Sequence, residues 1–230
     1  MRFKQKKINT NTQILKMKLN EKAIIFDMDG TIVDNIPYHE ESWIIFLKHY
    51  GIDIKRENFS AQNHGTLDEM IVRFFGNDLS ETKIYELGLE KENAYQTLYK
   101  SKMKEVTGLT SFLQKLKQNN IRTGLATMGI PSSINFILDG LHIREYFQEI
   151  TGGVEVSNGK PNPEIFLKTI EKLQVNAKDC VAVEDSMGGI KAGKDAGMKV
   201  IGITTTHSLE ELMDNGCAEV INDYTNIEIV

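Results

Sequence analysis

The architecture follows from residues 23–31, AIIFDMDGT. Ala23, Ile24, Ile25 and Phe26 form a short apolar run, which reads as a strand buried inside a sheet. The run stops at two acids, Asp27 and Asp29, with Met28 between them and Gly30 and Thr31 behind. Carboxylates at the end of a buried strand repel one another and lose hydration, so a cation is expected to hold them.

Outward from this stretch, strand-like and helix-like segments alternate. TGLAT (123–127), FQEITG (147–152), DCVAVED (179–185), KVIGIT (199–204) and AEVIN (218–222) read as further strands. Between them, apolar residues recur at helical spacing: Phe112, Leu113 and Leu116; Ile134, Ile137, Leu138 and Leu141; Ile165, Phe166, Ile170 and Leu173; Ile190, Ala192 and Ala196. This alternation predicts an α/β fold, a Rossmann-like parallel sheet with helices on both faces. Residues 36–105 break the rhythm, with helical patterns around Trp43–Leu47, Met70–Phe75 and 81–104 and almost no strand signal. They are expected to form an inserted helical cap, leaving 21–35 and 106–230 as the core.

With 40% hydrophobic and 26% charged residues, the chain reads as an ordinary globular protein, and no apolar run suits a membrane span. The formal net charge of −5 argues against a general nucleic-acid surface. Residues 1–20 hold Arg2, Lys4, Lys6, Lys7, Lys16 and Lys18 and no acid, and are expected to form a disordered basic tail. Met17 would make a compact beginning. Removing those six from the 27 basic residues leaves 21 against 32 acidic, a net −11, so an anionic ligand needs a local device to attract it. Cys180 and Cys217 have no metal-like spacing and read as reduced thiols of a cytoplasmic protein.

In open parallel sheets, ligands bind beyond the carboxyl ends of the strands. Those ends carry Asp27 and Asp29, Thr127, and Glu184 and Asp185, and the loop NGKPNPEIF (158–166) adds Lys160. A divalent metal would remove the repulsion among the acids, and oxygen ligands favour Mg2+.

This constellation resembles the haloacid dehalogenase superfamily of phosphotransferases. The motifs DMDGT, a strand-end threonine, a lysine before PNPEIF, and VEDS occur in order, and the resemblance covers nearly all of residues 22–225. The helical insertion resembles the cap of the beta-phosphoglucomutase-like and phosphoglycolate-phosphatase-like branch. The resemblance implies that Asp27 is the nucleophile, forming an aspartyl-phosphate, and Asp29 the general acid/base. It implies Mg2+ held by Asp27, the Asp29 carbonyl and Asp185, with Glu184 a direct or water-mediated partner. Thr127 and the Met128 amide would bind phosphate oxygens, and Lys160 would neutralise the transferring phosphoryl charge. Gly188 and Gly189 are expected to permit tight packing near the metal.

His39, in IPYHEESW, matches the mutase pattern in which a Tyr-His pair opens the cap and a tryptophan, here Trp43, follows four residues later. The loop NHGTLDE (63–69), with His64, Gly65 and Thr66, is expected to reach over the site and contact substrate. There the chain departs from the mutase, which has a lysine before this glycine and an arginine three residues after it to grip a second phosphate. This chain has His64 and Asp68 instead. The branch member that hydrolyses pyrophosphate has a glutamate at the position of His64.

The resemblance therefore implies a magnesium-dependent phosphatase of a small phosphorylated metabolite such as a sugar phosphate, with a phosphomutase as the alternative. Pyrophosphatase, dehalogenase and non-enzymatic phosphate-binding roles rank lower. A monomer is the default for the branch.

Overall fold

A computed structural model describes residues 15–17, 21–63 and 65–229; of 15–17 only the backbone, and at Ser60 not the side chain, is described. Most of the expected basic tail lies outside the described residues. Leu15–Met17 form a strand, β1. It is followed by β2 (Ala23–Phe26), α1 (Ile36–His49), α2 (Arg56–Ser60), α3 (Leu67–Phe75), α4 (Glu81–Tyr99), α5 (Leu109–Gln118) and β3 (Arg122–Ala126). Then come α6 (Pro131–Gly140), β4 (Glu149–Thr151), α7 (Glu164–Leu173), β5 (Cys180–Glu184), α8 (Met187–Asp195), β6 (Lys199–Ile203), α9 (Leu209–Asp214), β7 (Glu219–Ile221) and β8 (Ile227–Ile229).

Six strands make one parallel sheet in the order β4-β3-β2-β5-β6-β7, which places β2 near its centre. The side chains of each strand alternate between two cores. Ile24, Phe26, Val181, Val183, Ile201 and Ile203 pack on one face. Ala23, Ile25, Cys180, Ala182 and Val200 pack on the other, against Phe166, Ile190 and Leu212. Burial on both faces is why these strands read as continuous apolar runs. Both cysteines are buried free thiols.

The strands expected at 23–27, 123–127, 147–152, 179–185, 199–204 and 218–222 all form, to within two residues at each end. The parallel pair β1 and β8 has no counterpart in the sequence reading.

Between β2 and β3, residues 36–105 carry α1–α4 and no strand among the described residues. Trp43, Phe46, Leu47, Phe59, Met70, Ile71 and Leu87 give these helices a core of their own. Caps set their starts. Thr66 Oγ1 accepts from Glu69 N while Glu69 Oε2 accepts from Thr66 N, and Ser80 Oγ accepts from Lys83 N. The two ends of the insertion leave the core together, since Val33 and Glu105 form an antiparallel bridge and Val106 N donates to Ile32 O at 2.9 Å.

Candidate active site

The sheet brings the sequence motifs to one edge. Phe26 is level with Leu125 on one side and Val183 on the other, so Asp27 emerges between the ends of β3 and β5. Asp27 N donates to Val183 O at 3.0 Å, which fixes the point where the chain leaves the sheet. Gly30, at φ +80°, then turns the chain back, and Gly30 N donates to Val33 O at 2.7 Å.

Lys160 reaches into this edge from the loop before α7. Its Nζ lies 2.6 Å from Asp27 Oδ1, 2.5 Å from Glu184 Oε1 and 3.0 Å from the Ala126 carbonyl, so each ammonium proton has an acceptor. Burial pushes the Lys160 ammonium down, but the Asp27 and Glu184 carboxylates outweigh it and hold the group well above the ordinary lysine range. For Asp27, burial dominates over the pull of Lys160 and, with Glu184 and Asp185 nearby, raises the carboxyl well above its usual range. Burial and the Glu184 charge push Asp185 up to about 7, against the Thr206 hydroxyl.

Asp27, Glu184 and Asp185 offer oxygens within 4.8 Å of one another, all buried. Three converging buried carboxylates against one lysine leave negative charge that a hard divalent cation would balance, and the all-oxygen set suits Mg2+. Two glycines make room for the cluster. A Cβ at Gly30 would fall 2.0 Å from Asp185 Oδ2, and one at Gly189 would fall 1.9 Å from Glu184 Oε1. The four bonded partners of Glu184 are already in place. Lys160 holds Oε1, while Oε2 accepts from Asp185 N, Ser186 N and Ser186 Oγ. Those bonds favour Glu184 as the group that orients Lys160, and direct metal ligation would compete with them.

Two threonines after β6 complete this edge and escaped the sequence reading. Thr206 Oγ1 donates to Asp185 Oδ2, and Thr205 Oγ1 donates to the Gly30 carbonyl. Thr127, buried, accepts from Gly129 N at 3.0 Å, and its own hydroxyl proton has no acceptor among the described residues. Met128 follows it, half-buried, in the wall of a neighbouring cavity.

The Asp29 carboxylate turns away from the other acids and toward the insertion. Its Oδ1 accepts from Asn35 Nδ2 at 2.5 Å and meets His39 Nε2 at 3.2 Å. His39 Nδ1 lies 3.1 Å from Lys91 Nζ. A lysine ammonium only donates, so Nδ1 is the acceptor and Nε2 carries the proton given to Asp29. Burial pushes Asp29 up, but the contact with His39, then the Asn35 hydrogen bond and the Lys91 charge, outweigh it and hold the carboxyl below its usual range. His39 also stacks on Tyr95, with ring centroids 3.7 Å apart. Lys91 is buried, 5.2 Å from the Trp43 ring and 5.4 Å from that of Tyr95.

A cavity of about 170 Å³ lies between core and insertion, lined among others by Asp29, His39, Asn63, Lys91, Glu92 and Met128. His64 lies outside the described residues. Gly65, at φ +90°, sits against the Lys160 loop, where a side chain at Gly159 would come within 3.2 Å of its backbone. Thr66 uses its hydroxyl as the cap of α3, so on this loop the cavity wall is supplied by Asn63 and Leu67. Arg73 Nη1 donates to the Gln62 carbonyl at 2.9 Å. Among the described residues, no helix is long and apolar enough to cross a membrane.

A family model described as haloacid dehalogenase-like hydrolase matches residues 24–203. The chain is 35% identical over 191 residues to the beta-phosphoglucomutase of Bacillus subtilis, covering 79% of this chain and 83% of that one. It is 29% identical over 208 residues to the phosphorylated carbohydrates phosphatase of Thermotoga maritima, covering 87% and 94%. The crystal structure of a HAD hydrolase, family IA, variant 3, from Entamoeba histolytica superposes with a TM-score of 0.81 at 29% identity, covering 90% of this chain and 96% of that one. The chain belongs to the haloacid dehalogenase-like hydrolases.

Proposed function

We propose that this protein is a magnesium-dependent phosphatase that hydrolyses a small phosphorylated sugar or polyol through an aspartyl-phosphate on Asp27. The observation that carries the proposal is the fixed Lys160 cation 2.6 Å from Asp27, at the same sheet edge as Asp185 and Thr127. An acidic protein thereby gains a local device for a phosphate dianion.

In this mechanism, an Asp27 oxygen attacks phosphorus as the ester oxygen departs, taking a proton from Asp29. Water then attacks the aspartyl-phosphate while Asp29 accepts its proton, which returns Asp27 as carboxylate and releases phosphate. The Asp29–His39 contact keeps Asp29 ionised, the form required for the second step. A phosphate dianion arriving beside it raises its proton affinity for the first. Lys160, ordered by Glu184, neutralises charge on the transferring group, and Thr127 with the Met128 amide would bind its oxygens. Asp27, Asp185 and the Asp29 carbonyl would hold Mg2+, whose contribution is further charge neutralisation at phosphate. The insertion, residues 36–105, acts as a cap that excludes water, with Gly65 against the loop that carries Lys160.

A phosphomutase is the second reading, favoured by the 35% identity to a protein named beta-phosphoglucomutase. Both readings use the same core residues. Phosphate release from a panel of sugar and polyol phosphates, assayed with Mg2+, tests the first. Asp27→Asn is expected to lower turnover by about 10³-fold or more with the melting temperature kept. Isomer interconversion stimulated by a catalytic bisphosphate would overturn hydrolysis in favour of the mutase, and undiminished turnover in Asp27→Asn would overturn the nucleophile.

A further inference from the structure

Resting on the phosphatase reading, we propose that Glu92 determines specificity by accepting a hydrogen bond from a hydroxyl of the leaving group, selecting a polyhydroxy monophosphate.

Glu92 lies on α4, beside Lys91, and is 3% exposed. Its Oε1 is buried with no hydrogen-bond partner among the described residues. Its Oε2 is 3.7 Å from Lys91 Nζ, a loose contact, while that ammonium is given to His39 Nδ1 at 3.1 Å. Glu92 lines the same cavity as Asp29. Asp29 meets the leaving oxygen, so the body of the leaving group extends into this cavity and toward Glu92.

The rest of the cavity wall offers apolar groups from Ile36, Leu67, Met70 and Ile130, beside the polar Asn63 and Ser133. A buried carboxylate oxygen left without a donor carries an uncompensated desolvation cost. A leaving group with a suitably placed hydroxyl removes that cost, and one lacking it does not. Sites of this kind reject the deoxygenated analogue strongly.

The cavity also limits size and charge. At about 170 Å³ it is smaller than the pockets of about 300–1,000 Å³ that hold drug-sized ligands. A second phosphate entering it would face the Glu92 and Asp29 carboxylates, with the Lys91 ammonium already held between His39 and Glu92. An ammonium on the leaving group could meet the same carboxylate, so amino and hydroxyl donors must be compared directly.

The test compares kcat/KM of the full chain with Mg2+ on glycerol 1-phosphate and glucose 6-phosphate against propyl phosphate and phenyl phosphate. Hydroxylated esters are expected to be favoured about tenfold or more. Glu92→Leu is expected to cut that ratio about tenfold, and the isosteric Glu92→Gln, which keeps the packing if leucine does not, about threefold or more. An unchanged ratio in both variants, or a wild-type preference for propyl phosphate, overturns the role of Glu92 while leaving the phosphatase standing. A preference of about tenfold for glucosamine 6-phosphate over glucose 6-phosphate overturns the hydroxyl in favour of an ammonium. Absence of phosphate release from every ester removes the phosphatase reading and this inference together.

Discussion

Gly30 packs so closely against Asp185 that a Cβ at position 30 would fall 2.0 Å from Asp185 Oδ2. The turn that carries Asp29 and the acid at the end of β5 are therefore fitted to each other across the site. Gly30 is also at φ +80°, where an L side chain is strained. Gly30→Ala is expected to cost about 2 kcal/mol or more, lowering the melting temperature by about 5 °C for a chain of this size. It should also reduce the stabilisation gained from added Mg2+, because Asp185 must move. Thermal melts with and without Mg2+ check both, and a Mg2+ response equal to wild type would separate Gly30 from the proposed metal site.

The Lys160 ammonium is the one cation that contacts Asp27 and Glu184 among the described residues. Lys160→Met keeps the length of the side chain and removes the charge. Three carboxylates are then left facing one another, and stability without metal is expected to fall by about 3 kcal/mol. Mg2+ should raise the melting temperature more in the variant than in wild type, since it meets greater uncompensated negative charge. Turnover should drop about 10²-fold or more. Equal Mg2+ shifts in the two proteins would show that the lysine and the metal do not share the same carboxylates.

The sheet and its acidic edge were legible in the sequence for a physical reason. Both faces of β2, β5 and β6 are buried, so Ala23–Phe26, Cys180–Glu184 and Lys199–Ile203 read as apolar runs, and the acids that end two of them stand out. Lys91 and Glu92 did not stand out. Within EKEN, residues 90–93, they look like the solvated face of a polar helix, yet α4 packs along α1 and both become buried. Their roles come from contacts with His39, 52 residues away, and with the cavity, for which no local pattern exists. Thr205 and Thr206 were hidden in the same way, meeting Gly30 and Asp185 only once β6 is laid beside β5. The β1–β8 pair joins segments at opposite ends of the chain, and its strands are only three residues each, too short for a period to register.

Asn35 ties Asp29, the proposed acid/base residue, to the insertion. Its Oδ1 accepts from Gly30 N at 3.1 Å, and its Nδ2 donates to Asp29 Oδ1 and to Tyr95 Oη, both at 2.5 Å. Asn35→Ala removes all three bonds from a fully buried position, at an expected cost of about 2 kcal/mol. Among the described residues the Asp29 carboxylate then keeps one hydrogen-bond partner, His39, so kcat is expected to fall about tenfold while KM changes little. Steady-state kinetics beside a thermal melt check this. A loss of stability with kcat unchanged would make Asn35 a purely structural residue.

Lys91 provides a pH test of the buried network behind Asp29. Burial pushes its ammonium below the ordinary lysine range, and the opposing pull of the Glu92 and Asp29 carboxylates does not restore it. The groups facing it are His39, Glu92 and the rings of Trp43 and Tyr95. In the unfolded chain a lysine holds its proton up to about pH 10.4. Between the folded value and that pH the unfolded state binds more protons, so stability attributable to Lys91 rises with pH and is lost as pH falls. Lys91→Met has no such proton to bind. Measured by urea unfolding from pH 7.5 to 10, wild type is expected to gain stability relative to Lys91→Met as pH rises, whichever protein is the more stable at neutral pH. Other lysines and tyrosines titrate equally in both proteins and cancel in the difference. A gap that stays constant, or that moves against wild type with rising pH, would mean that the Lys91 ammonium is as well compensated in the fold as in water.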